Sequence, residues 1–559
     1  MTDSDRSNSS SISNVVWLRP RSASSVSPSA VPPSDEGELP VDDDRANEVS
    51  ETECAQRDAE PEHVAQRGVV PVIHLDDDFH RIVEQAMQAL SANPLVFAKG
   101  DQLVRLALDG GAPRLLPLGT AQLRELLSAG AQWRRDEPVH PPSSVATALI
   151  KRGTWSHIRE LRALTTFPVL SATGELRTEE GYEKTTRTFF HAGGCAVRVP
   201  ETPSVEDAKA AGARLLDLVA DFPFAGDAHM SGWLAALLTP LARFMHEGNA
   251  PLVVIQANMP GSGKTTLAQI IASIVTGATI PVMACEKGEP NRKEILAKLR
   301  ASPSLALIDN VAQRFGGPNM ATLITSRCFE DRSLGHLKTL SAPNDTTWIV
   351  TGNRITLAPD MARRCLHVRL QCHEEKPHER TGFRQPNLMQ YVREHRAVLL
   401  SDALTILKGY AVAESPEVGL EPWGSFEDWS RIIRGALVWC GLADPAATRS
   451  ELEEEAEESV TEQARWVLGW EELQLAMARP EGITVKEALT FLCADRGAVP
   501  RLRELIDALP RRSAQPDPLH VARRLREAKD RNLNGRMLHS AGNPKEALVW
   551  TVRQVDRKC

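Results

Sequence analysis

Nine cysteines are scattered between Cys54 and Cys559 with no Cys-x-x-Cys pair among them. That excludes the ligand spacing of a zinc ribbon and the framework of a disulfide-stapled domain, and fits thiols kept reduced. No run of about 18 apolar residues occurs. The opening residues, MTDSDRSNSS, are acidic and serine-rich where a secretory leader is basic and then apolar. The expectation is a cytoplasmic protein with no membrane partner. An excess of basic charge is also missing. The chain has 65 Lys and Arg against 73 Asp and Glu, net -8, which as an average argues against a nucleic-acid partner.

The average hides a segregation. Residues 1–66 carry 14 acidic and 5 basic side chains, whereas from Pro500 onward 14 basic side chains outnumber 7 acidic ones. The basic end is a candidate contact for phosphates. A chain of 559 residues has room for about three or four units. Residues 1–66, rich in Ser, Pro, Asp and Glu, hold too little apolar surface to offset the entropy of ordering and are expected to form a disordered acidic tail. Residues 67–200 predict a small α+β domain, with helical spacing in HRIVEQAMQAL and strands joined by a Thr173-Gly174 turn.

A helical collar is expected over 201–248, with Ser204 placed to cap VEDAKAAGARLLDLVADF. Residues 249–372 supply four short apolar runs, PLVVIQA, SLALIDN, TTWIVTGN and CLHVRL, separated by helical or irregular stretches, the alternation of an α/β sheet. A helical region follows over 373–480, in which Ser450 is expected to cap a helix with carboxylates in its first turn. Residues 481–559 read helix, helix, basic helix, Asn534-Gly535 turn and strand pair, the order of a winged helix.

Chemistry concentrates in the centre. PLVVIQA runs into Asn258, Met259, Pro260, Gly261, Ser262, Gly263, Lys264 and Thr265, followed by Thr266 and an apolar helix that Gly277 should close. Glycines let a backbone wrap around phosphate oxygens, and its N–H groups and the helix N-terminus supply positive charge. In such a loop Lys264 reaches the β and γ phosphates of ATP and Thr265 ligates Mg²⁺. Asn258 stands where the pattern has its first glycine, and asparagine tolerates a left-handed backbone. Asp309 ends a second apolar strand, placed to hold Mg²⁺ through water. Asn310 follows it where many related ATPases have a water-polarising glutamate.

Asn353 ends a third strand and is suited to orient water beside the γ-phosphate. Arg363 and Arg364 in DMARRCLHVRL are candidates for an arginine supplied across a subunit interface. Glu286 is a weaker candidate for the base, a plain surface carboxylate being at least as good a reading. Cys365 and His367 share one strand face, but Cys372 and His373 lack zinc-ligand spacing.

The order N-M-P-G-S-G-K-T, L-A-L-I-D-N, T-T-W-I-V-T-G-N and D-M-A-R-R resembles the superfamily 3 type helicase module within AAA+ ATPases. More narrowly it resembles the primase-helicase proteins of phages, plasmids and integrative elements. The likeness spans roughly residues 70–559, with R-T-G-F-R-Q-P-N-L and G-S-F-E-D-W-S also similar to that group. It implies a P-loop NTPase core in a ring, usually a hexamer of identical chains, moving along single-stranded DNA. Lys264, Thr265 and Asp309 would bind ATP and Mg²⁺, Asn353 would be the sensor, and Arg363 or Arg364 the arginine finger. It further implies a channel hairpin, for which Arg332, His336 and Lys338 are the candidate DNA contacts.

No primase motif stands out before residue 200, so any primase is expected to be a separate partner. The basic C-terminal unit would bind duplex DNA. Two rival readings are a nucleotide-gated DNA-binding regulator or loader with little hydrolysis, and an interaction or defence module whose tail recruits a partner.

Overall fold

Strands buried on both faces read as continuous apolar runs, because neither face meets water. In the computed structural model all four central runs are strands of one sheet. The structure describes residues 70–554 apart from 77, 109–112, 286–287, 312–313, 333–338, 496, 511–515 and 543–546, so the expected acidic tail lies outside the described residues. The sheet is parallel and five-stranded. Its strands are β1 (Leu252–Ala257), β2 (Val282–Met283), β3 (Leu305–Val311), β4 (Thr347–Asn353) and β5 (Cys365–Leu370), in the spatial order β2-β3-β4-β1-β5. Every residue of β1 is buried. The architecture is α/β.

Two helices come immediately before the sheet, α1 (Val205–Leu218) and α2 (Asp227–Leu241). Ser204 caps α1 in a reciprocal box with Asp207, each side chain satisfying an orphan backbone N–H of the first turn. After β1 comes α3 (Lys264–Thr276), stopped by Gly277 in the left-handed conformation. Beyond β5 lie α4 (Leu388–Glu394), α5 (Arg396–Val412) and the 28-residue α6 (Arg449–Ala476). Ser450 does not cap α6. Thr448 holds the N-cap position and turns its hydroxyl to the His367 carbonyl, 3.0 Å away, while Ser450 sits inside the first turn and donates to Ala447 O. Neither hydroxyl caps the helix: that of Thr448 is turned to the His367 and Pro445 carbonyls and makes no bond to the first-turn N–H groups.

Ahead of the sheet, helices Phe79–Ser91, Thr120–Gly130 and Ser143–Arg152 enclose a separate apolar core. Within it the Trp133 and Trp155 indoles donate to the carbonyls of Leu127 and Leu149. Phe167 and Leu170 already pack into the central core. At the other end α6 serves two cores, Leu452 and Ala456 in the central one and Trp466 through Leu473 in the C-terminal one. That last core is completed by helices Val485–Ala494, Pro500–Asp507 and α7 (Pro518–Ala528), then a hairpin of Arg536–Ala541 with Val549–Gln554. Asn534 and Gly535, which join the short strand Asn532–Leu533 to Arg536–Ala541, both take positive φ, 56° and 78°, as a tight hairpin turn requires. No helix among the described residues is long and apolar enough to cross a membrane.

His246 is 6% exposed, and burial first, then the Arg243 and Arg431 charges, hold its imidazole down to about 4. The unfolded imidazole protonates near 6.5, so stability falls with pH across that window. Between pH 7 and pH 5 this residue alone should cost about 2 kcal/mol. Urea melts at the two pH values measure it, and His246→Leu is expected to flatten the difference.

Candidate functional site

β1 ends at Ala257 between β4 and β5, and the chain leaves the carboxyl edge of the sheet into the glycine loop. In open parallel sheets that edge, where the strand order reverses, is where ligands sit. Gly261 and Gly263 have φ of +76° and +90°. A Cβ on Gly263 would come within 2.5 Å of the Phe222 ring, and one on Gly261 within 2.9 Å of His378 Cβ. Both conformation and space therefore demand glycine.

Asn258 does not use a left-handed backbone. Its amide instead donates to Cys372 O at 2.8 Å and accepts Cys372 N–H at 2.9 Å, tying the start of the loop to the chain just beyond β5. Glycine has no side chain to make that pair, which is a physical reason for the departure at this position.

Lys264, the first residue of α3, is 7% exposed, and burial pulls its ammonium below the ordinary lysine value. Its Nζ lies 2.7 Å from Asn353 Oδ1 and 3.2 Å from Ser262 Oγ. Thr265 Oγ1 donates to Asp309 Oδ1 at 2.7 Å, and Thr351 Oγ1 donates to the same oxygen. A register shift between Ile308 and Val311 bulges β3 at Asp309 and Asn310. Asn310 takes φ 55° and donates its N–H to Thr351 Oγ1. The bulge is thus pinned by a threonine that the reading of the sequence passed over. Strand alternation, which puts Thr351 on the same face as Asn353, was the available signal.

Lys264, Thr265, Asp309 and Asn353 are brought together from α3, β3 and β4. Pro260 is exposed at the loop tip. Ser262 and Thr266 border a cleft of about 810 Å³ whose lining also includes Phe222, Phe383 and Tyr391. That volume suits a small-molecule ligand. The donor set also fits the cation expected there. Thr265 directs its proton at Asp309, leaving hydroxyl lone pairs free, and hard oxygen ligands are what Mg²⁺ takes.

Arg363 and Arg364 do not join this group. Leu252 pairs with Cys365, so both arginines precede β5 at the amino edge of the sheet, roughly 20 Å along the strand from the loop. Arg363 is bonded to Asp360, and Arg364 to Asp360 and Ala321 O. Arg332 ends the strand Cys328–Arg332, which pairs with Thr339–Pro343. Its side chain, His336, Lys338 and Glu286 lie outside the described residues.

No protein-family model matches the chain, and no curated protein does. Among solved structures, the A form apo structure of the NrS-1 C-terminal region aligns over 82% of this chain and 95% of its own, at 10% identity and a TM-score of 0.36. A second structure of that region gives the same coverage and identity with a TM-score of 0.33.

Proposed function

We propose that the chain is a P-loop, AAA+-like ATPase that binds ATP with Mg²⁺ at loop 258–265 and drives a DNA helicase or translocase for replication of a mobile genetic element. The observation that carries the nucleotide half is the convergence of Lys264 with Asn353 and of Thr265 with Asp309 beneath a glycine loop at the mouth of a helix. In this reading the loop N–H groups and the α3 dipole hold the phosphates. Lys264 leaves the Asn353 carbonyl for the β and γ oxygens, which frees Asn353 to hold the attacking water by hydrogen bonds. Thr265 and Asp309 would hold Mg²⁺, which when bound neutralises charge on the transferring phosphoryl group.

At the amino edge of the sheet, Arg363 or Arg364 would meet the phosphates only of a neighbouring copy, which supports a ring of identical subunits. Asp360 must then release the arginine. The DNA half rests on the sequence resemblance and on the C-terminal unit, whose helices and hairpin follow winged-helix order. Single-stranded DNA would pass the hairpin carrying Arg332, His336 and Lys338, and duplex DNA would meet the C-terminal unit. On α7, Arg523 and Arg524 are paired with Glu527, and Arg524 also with Glu462, so phosphates there would compete with carboxylates.

ATP hydrolysis by the full chain with and without single-stranded DNA tests the reading, and stimulation by DNA is the expected result. One observation favours a second reading, a nucleotide-gated regulator or loader with little turnover. Asn310 offers no carboxylate beside Asp309, and its φ of 55° suits asparagine better than glutamate. If the wild type binds ATP but scarcely turns it over, and Asn310→Glu raises the rate, the gated reading replaces the motor.

A further inference from the structure

Gln256, the penultimate residue of β1, is 4% exposed and bonded at both ends of its amide. Its Oε1 accepts the Ile355 N–H at 3.0 Å, in the turn two residues beyond Asn353. Since that partner only donates, the orientation of the amide is settled, and its Nε2 donates to His367 Nε2 at 2.8 Å. His367 is therefore protonated on Nδ1. That nitrogen is wholly buried, has no hydrogen-bond partner, and faces Glu451 Oε2 on α6 across 3.7 Å.

The other Glu451 oxygen is 3.2 Å from His229 Nε2. A carboxylate only accepts, so that nitrogen carries the hydrogen and His229 Nδ1 accepts the Arg369 N–H at 3.2 Å. The Arg369 guanidinium completes the shell, 3.1 Å from Glu451 Oε2.

The ligating atoms of His229, His367 and Glu451 lie within 4.8 Å of one another, close enough to suggest a shared cation. Two features oppose one. The hydrogen on His367 Nδ1 occupies the position a metal would need, and Arg369 already brings positive charge to the carboxylate.

We propose instead that Gln256 and His367 are positioning residues that couple the seating of α6, through Glu451, to the turn that holds Asn353. The helix bearing the C-terminal unit would thereby bias the sensor asparagine. The 3.7 Å gap is the adjustable element. A small shift of the first turn of α6 closes it into a charge-assisted hydrogen bond, which holds the imidazole, the Gln256 amide and the Ile355 N–H in line. The consequence for turnover rests on the ATPase reading above, whereas the coupling itself does not.

The full chain is tested as Gln256→Met, Glu451→Gln and the double variant. Each single change is expected to lower kcat for ATP about ten-fold with KM within about two-fold. The double should be no worse than the poorer single, because both break one path. Gln256→Glu keeps an acceptor for Ile355 N–H but loses the donor to His367, so it breaks the same path: it should lower kcat as Glu451→Gln does and become insensitive to that second change.

Losses that multiply in the double variant, or a Glu451→Gln chain altered only in melting temperature, would overturn the proposal. So would stoichiometric zinc in the purified wild type. Should the wild type not hydrolyse ATP at all, the ATPase reading fails and amide exchange at Ile355 decides the coupling alone. Loss of protection in Glu451→Gln supports it, and unchanged protection sinks it.

Discussion

Lys264→Ala is expected to cut ATP turnover by at least about a hundred-fold, the scale of losing one preorganised charged donor to a transition state. The side chain is buried and already aimed across the loop at Asn353 and Ser262, so little reorganisation separates its resting position from a phosphate. Replacing it leaves Asn353 Oδ1 and Ser262 Oγ without a donor, a loss of about 1 kcal/mol of stability. The fold should therefore survive. Phosphate release measured beside a thermal melt separates the two effects. A variant that melts like the wild type and still hydrolyses ATP would remove the loop from the mechanism.

Asp345→Ala should destabilise the protein by about 3–5 kcal/mol, the largest stability effect expected of a single polar change here. Asp345 lies just ahead of β4 and receives Arg162 through Nε and Nη2 at 3.0 and 3.1 Å, and Arg243 through Nη2 at 2.8 Å. Those partners lie 183 and 102 residues away, so one carboxylate ties the strand edge to the N-terminal unit and to the end of α2. Without it the two guanidiniums face each other, that of Arg243 only 9% exposed.

Burial alone would raise the Asp345 carboxyl, but the two arginines outweigh it and hold it below the ordinary aspartate value. Its contribution is therefore complete above that ordinary value and is lost as pH falls through the depressed one. The urea midpoints of variant and wild type should differ widely at pH 7 and converge in strong acid. A stability difference below about 1 kcal/mol at pH 7 would mean that the arginines find other partners.

What could be read from the residues alone was whatever depends on near neighbours in the chain. Gly261 and Gly263 announce a loop because only glycine takes those φ values at little cost. Ser204 with Asp207, Gly277, and Asn534 with Gly535 mark element ends by bonds spanning a few residues. The four apolar runs declare burial on both faces by composition. The loop residues Lys264 and Thr265 were legible for the same reason, as were Asp309 and Asn353 at the ends of apolar runs.

Register and strand order were not legible, because they are settled between segments that no local pattern connects. Only the tertiary structure put β5 beside β1 and so sent Arg363 and Arg364 to the edge opposite the loop. It paired Asn258 with Cys372 across 114 residues, giving a side-chain reason for an asparagine that the chain itself suggested only as a tolerated backbone. It bulged β3 so that Thr351 meets Asp309, and it turned the Thr448 hydroxyl to the His367 carbonyl, so that no side chain caps α6. The last three are polar groups finding partners from other segments, an obligation that arises only once the sheet has closed around them.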